Sequence, residues 1–160
     1  MANKQSKDKL DGYLLVDNRR HARHHYDIVD RYIAGLELKG PEVKSIRADR
    51  PSLKETYCFF KNNELLLSGL YLKPYAPAAH YNAEPKRLRK LLLTRRELRK
   101  LQKQKKEKSL TIIVLYLIQK RGWIKVGIAL ARGKKQFDKR HAIKERDIKR
   151  RTQREGHHLS

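Results

Sequence analysis

The chain has 160 residues, with 40 Lys and Arg against 17 Asp and Glu for a formal charge of +23, and 39% of its residues are hydrophobic. That is apolar material for one compact core rather than two. The single cysteine, Cys58, excludes an internal disulfide, and no Cys/His set has zinc-finger spacing. No apolar run approaches bilayer-spanning length and no signal-like apolar region follows the N-terminus, so the chain reads as cytoplasmic with no membrane partner.

Residues 1–12 lack apolar periodicity and read as a disordered leader. Asp17 and Asn18 are placed to cap a short helix over 19–26, with Ala22 and Tyr26 one turn apart. The apolar residues Ile28, Val29, Tyr32, Ile33, Leu36 and Leu38 follow no clean period, and Gly35 falls among them, which predicts two strand pieces joined by a bulge or sharp bend. Gly40-Pro41 then breaks the strand, and Pro41 starts a short helix over 42–47. Alternation through Tyr57, Phe59 and Lys61, the Asn62-Asn63 turn and the run 65–72 predict a hairpin. Pro74, Pro77 and Pro85 make 71–85 a long ordered loop.

Leu88, Leu91, Leu92, Leu98 and Leu101 recur at near-helical spacing, with Thr94 able to cap a second segment carrying Glu97 at its third position. The apolar run 110–118, the Arg121-Gly122 turn and the alternation of Ile124, Val126, Ile128 and Leu130 predict a second hairpin. Past Arg132 apolar residues are too few to dock a helix on a core, yet Glu145–Lys149 and Asp147–Arg151 are helix-favouring i,i+4 pairs. The expectation is a tail that becomes helical against a polyanion. Taken together, the pattern predicts a mainly β fold: a small antiparallel β-barrel of about six strands over 13–132, with peripheral helices and a flexible basic tail over 133–160.

The charge is uneven. The segment 86–108 holds twelve Lys/Arg and two Glu, net +10, and 132–160 holds eleven Lys/Arg and four acids, net +7. Two such runs flanking one core are the electrostatic footprint of a nucleic-acid binder. Catalysis is poorly supplied: there is no Walker loop or Gly-rich fingerprint, and His21, His24 and His25 have no carboxylate or cysteine to complete a metal shell, so neither an enzyme nor a metal or other cofactor is expected. Cys58 lies in a strand pattern and reads as core. Tyr75 and Tyr81, in a Pro-rich loop where burial is hard, are candidate base-stacking residues, and Lys125, alternating outward between Ile124 and Val126, offers a surface cation.

Four strings carry a resemblance: Asn18-Arg19-Arg20-His21-Ala22-Arg23-His24, Glu42-Val43-Lys44-Ser45-Ile46-Arg47, Arg89-Lys90-Leu91-Leu92-Leu93 and Gly133-Lys134-Lys135-Gln136-Phe137-Asp138-Lys139-Arg140. In this order, from about residue 15 to 150, the chain resembles the small protein B (SmpB, SsrA-binding protein) family. The resemblance implies an OB-fold-like barrel that binds the tRNA-like domain of transfer-messenger RNA (tmRNA). Alanyl-tRNA synthetase and elongation factor Tu are then partners acting through that RNA, and ribosomes stalled without a stop codon are its destination. It implies RNA binding by Leu92 and Lys125, with Arg19, Arg20, Arg23, Lys44, Arg89 and Lys90 as the cations of the matching strings. It also implies a tail acting near the decoding centre through Asp138, Lys139 and Arg140, with Lys134, Lys135, Phe137 and Lys144 around them as further candidate tail contacts. Three positions depart from the family pattern and are not carried over: Ile33 stands where many members have glutamate, Pro41 replaces a common threonine, and Ala83 replaces a histidine. The alternatives are a general single-stranded RNA-binding or ribosomal protein and, more remotely, an RNA-processing enzyme.

Overall fold

Residues 12–156 are described in the computed structural model, where the elements run β1 (Tyr13–Asp17), α1 (Arg19–His25), β2 (Tyr26–Leu36), α2 (Gly40–Ala48), β3 (Tyr57–Lys61), β4 (Glu64–Ser68), β5 (Arg89–Leu92), α3 (Arg95–Lys108), β6 (Thr111–Lys120), β7 (Trp123–Gly133) and α4 (Gln136–Gly156). Every strand pairing is antiparallel, and the hydrogen-bonded neighbours form a closed circuit, β6-β3-β4-β5-β2-β7 and back to β6. Closure removes the free edges that an open sheet of this size would expose. β1 hangs on β6 beside β3, outside the circuit.

The hairpins form where turn chemistry places them. Asn62 and Asn63 both take positive φ (50° and 59°), as do Arg121 and Gly122 (51° and 78°), which is the backbone a tight two-residue hairpin turn requires. Inside the barrel, Leu36, Leu67, Leu91, Val114, Val126 and Ile128 belong to one buried cluster. A second cluster, Ile113, Leu115, Ala129 and Ala131, lies on the other face of β6 and β7 and is covered by Ala22 of α1. β6 is therefore apolar on both faces, which is why its sequence reads as a continuous run instead of an alternation.

Several expectations need correction. β2 is one eleven-residue strand with a register shift between Ile28 and Asp30, rather than two pieces broken at Gly35. The leucines after Pro85 do not begin a helix: Arg89–Leu92 is strand β5, with Leu91 buried and Leu92 exposed, and helix starts only at α3. Spacings of three and four among so few leucines fit both periods, and pairing with β2 and β4 decides for the strand. There the predicted capping box is present: the Thr94 side chain accepts from the Glu97 N–H while Glu97 accepts from the Thr94 N–H. Asn18 precedes α1 without capping it through its side chain, which instead donates to the carbonyls of Leu53 and Val114. Asp17 accepts from the Arg19 N–H.

β1, unread in the sequence, brings the strands to seven. The loop 71–85 contains a 3-10 segment, Ala76–Tyr81, broken at Ala79 (φ 46°), and Asn82 clasps it by bonding the Tyr75 backbone on both its N–H and its carbonyl. The tail takes the form of helix α4, which its i,i+4 pairs favour, and Ile143 lies at a cleft shared with α1. The leader residues 1–11 lie outside the described residues.

The strand assignment of β5 predicts unequal costs in urea unfolding. Leu91→Ala should lose about 2–5 kcal/mol and Leu92→Ala less than about 1 kcal/mol. Similar losses at both positions would contradict a strand with one buried face.

Candidate nucleic-acid interface

Residues directly opposite each other in antiparallel strands share a face. Gly35 of β2 pairs with Leu92 of β5 on one side and Lys125 of β7 on the other, so these three make one row across three strands. Leu92 is 50% exposed and Lys125 half-buried, which puts the row on the outside of the barrel. Gly35 leaves its middle as bare backbone: a Cβ there would stand 3.2 Å from the Leu92 Cβ, inside ordinary contact distance. The next row holds Ile33, Gly127 and Tyr116. Ile33 is 49% exposed, and the Tyr116 ring occupies the space that a Cβ on Gly127 would need. Trp123, two residues before Lys125 on the same strand, is 75% exposed; the sequence reading passed over its place beside Lys125, although strand alternation carried that signal.

Arg19, expected on the RNA, is committed locally. Its guanidinium takes both oxygens of Asp17 (2.9 and 2.7 Å) and sits 5.8 Å from the Tyr116 ring centroid. The Arg19 hydrogen bond is the chief reason that the Asp17 carboxyl lies below its ordinary value. Arg20 and Arg23 are exposed on α1. Lys44 is exposed on α2 with its ammonium 5.7 Å from the ring centre of half-buried Tyr75, while Tyr81 projects freely from the Pro-rich loop. Lys90 is paired with Glu64 at 2.8 Å.

Arg89 is a correction. It is wholly buried and cannot be a surface contact: it donates to the carbonyls of Leu70, Arg87 and Pro85 and to Glu42, itself only 5% exposed. Glu42 in turn receives Arg87 at 2.8 and 2.6 Å and the Lys39 N–H at 2.8 Å. Burial alone would raise the Glu42 pKa, but the hydrogen bonds from Arg87 and the Lys39 backbone and the charge of Arg89 outweigh it, so the carboxyl lies below its ordinary value. One carboxylate thus ties α2 to the chain entering β5, whose last residue is Leu92.

Of the tail residues, Lys134 is drawn back onto the barrel rather than projecting. Its ammonium donates to the Arg23 carbonyl at 2.8 Å and its N–H to that of His25. Lys135, Arg140 and Lys144 are exposed; the side chains of Phe137, Asp138 and Lys139 lie outside the described residues. Arg146, Asp147 and Arg150 of α4 face Arg20, His21, His24 and Lys54 across the cleft. His21 and His25 stack at 4.3 Å, and burial, with the neighbouring His25 and Lys54 charges, lowers the His21 pKa. Among the described residues no group of three or more His, Cys, Asp or Glu is placed to hold a metal, and no helix is long and apolar enough to cross a membrane.

The family model described as SmpB protein matches residues 15–158. An SsrA-binding protein of Nostoc punctiforme is 47% identical over 148 residues, covering 92% of this chain and 96% of that protein. One from Christiangramia forsetii is 46% identical over 140 residues, covering 87% and 88%. A chain in the solved structure "tmRNA-SmpB: a journey to the center of the bacterial ribosome" superposes with a TM-score of 0.61 at 44% identity, covering 76% of this chain and 85% of that one.

Glu42→Ala should cost about 3–5 kcal/mol in urea unfolding at pH 7, because it strands buried Arg89. A depressed carboxylate pKa contributes stability that is present above the ordinary value of 4.5 and lost as pH falls through the folded value. The gap between wild type and variant should therefore narrow below about pH 4.5; a gap independent of pH down to 2 would contradict the ion-pair account.

Proposed function

This chain belongs to the SmpB protein family, and from that premise we propose that it binds the tRNA-like domain of tmRNA and brings it to stalled ribosomes for trans-translation. The Leu92–Gly35–Lys125 row carries the reading. Strands far apart in sequence bring together the two residues to which the family resemblance gives RNA binding, on one outward face with bare backbone between them. Lys125 offers a cation to a phosphate, Leu92 an aliphatic surface to a sugar or base edge, and the dip at Gly35 close approach to the RNA. A rigid barrel face of this kind recognises a folded RNA by shape. The family is one of RNA-binding proteins and not of enzymes, so selection and delivery are the whole of its chemistry.

The C-terminal segment supplies the second half of the proposal. With its basic residues on α4 and few apolar ones to hold it, it enters the mRNA channel left empty on a stalled ribosome, near the decoding centre. An occupied channel excludes it by volume, so rescue is confined to stalled ribosomes whose channel is empty. Elongation factor Tu and alanyl-tRNA synthetase act through the bound RNA. A general single-stranded RNA binder is the second reading, and efficient competition by unstructured RNA would favour it.

Lys125→Ala should weaken binding of a tRNA-like tmRNA transcript and lower the salt slope of log K by roughly one unit or less. An unchanged slope would mean that Lys125 touches no phosphate. Lys139→Ala combined with Arg140→Ala should leave transcript binding nearly intact and abolish tagging in a reconstituted rescue assay. Parallel loss of both activities would refute the division of labour.

A further inference from the structure

α3 lies beyond every residue assigned so far. Its sequence, RRELRKLQKQKKEK, buries Leu101 completely and half-buries Leu98, and its other face is cationic: Arg95, Arg96, Arg99, Lys100, Lys103 and Lys106 are all exposed. Lys100 is within 3.5 Å of Asp30 and Lys103 within 4.0 Å of Glu107. Among the described residues no salt bridge reaches Arg95, Arg96, Arg99 or Lys106. Uncompensated like charge on one helix face opposes folding unless an anion neutralises it.

This face is continuous with the Leu92 end of the barrel row. A groove of about 670 Å³ runs between β5 and α3, with Leu92, Leu93 and Leu98 along it and Lys90, Arg95 and Arg99 beside them. Resting on the proposed RNA binding, we infer that the outer face of α3 grips the phosphate backbone of a base-paired RNA stem extending from the RNA held at Leu92 and Lys125. Two features select a duplex. α3 carries no aromatic side chain, and sequence-tolerant binding of unpaired strands depends on aromatic stacking. A helix of fourteen residues, about 21 Å long, presents its cations along one face at fixed spacing, which suits a backbone of fixed geometry rather than a flexible strand.

The test uses the full chain with Arg95, Arg96 and Arg99 changed together to Gln. All three are exposed and their like charges oppose folding, so the melting temperature should hold or rise. Binding is measured across salt concentrations to a short RNA duplex of plain sequence, to an unpaired RNA of equal length, and to a tRNA-like tmRNA transcript. The triple variant should bind the duplex roughly tenfold or more weakly and lose roughly two to three units of salt slope. Lys125→Ala should bind the duplex as the wild type does. Wild type that ignores the duplex, a triple variant equal to wild type on it, equal losses on duplex and unpaired RNA, or an equal duplex loss from Lys125→Ala would each overturn the assignment. Wild type that prefers the tRNA-like transcript no more than the plain duplex would instead defeat the proposed function and leave the role of α3 standing.

Discussion

β2 is hydrogen-bonded to β7 along most of its length, but only its last two residues, Gly35 and Leu36, pair with β5, and that short seam closes the barrel. Leu36 fills the seam from inside against Leu91; Gly35 lies on the outside. Because one residue is shared by both pairings, the residues opposite it on either side, Leu92 and Lys125, must stand in a row. The same seam depends on where β5 begins, and Glu42 governs that by holding Arg87 and buried Arg89. An ion pair buried this deeply is weak evidence for net stability, since hydrophobic residues of similar volume often do as well. It does fix one arrangement of the chain, and the outer row depends on that arrangement.

Much of this was legible in the sequence where short-range rules suffice. The turns at Asn62-Asn63 and Arg121-Gly122, the capping box at Thr94 and the hairpin of β6 and β7 need only neighbouring residues, and the structure has all four. What escaped depends on distant partners. β5 is four residues of ambiguous period, made a strand by β2 and β4. Arg89 reads as one more cation in a basic run, and nothing near it reveals that its counter-ion sits 47 residues earlier in α2. Asn18 reads as a cap, but two carbonyls distant in sequence take its amide. Leu92 and Lys125 were reached through the family's motif, while the row that joins them through Gly35 is visible only in three dimensions.

The charge divides along the same lines. Arg87 and Arg89 are paired with Glu42, and Arg19 with Asp17, and these pairs serve the architecture. Cations on α3 and along α4 are largely exposed. Among the described residues, the exposed cations of α3 and α4 offer surfaces suited to polyanions.

The central claim, that tRNA-like RNA sits on the row across β5, β2 and β7, is tested most directly by amide chemical shifts of isotope-labelled protein titrated with the tRNA-like portion of tmRNA. The account predicts that Gly35, Leu92 and Lys125, with Ile33 and Trp123 around them, move first and furthest. Shifts concentrated instead on the opposite wall, at Tyr57 and Phe59 of β3, with the Gly35 row silent, would contradict it.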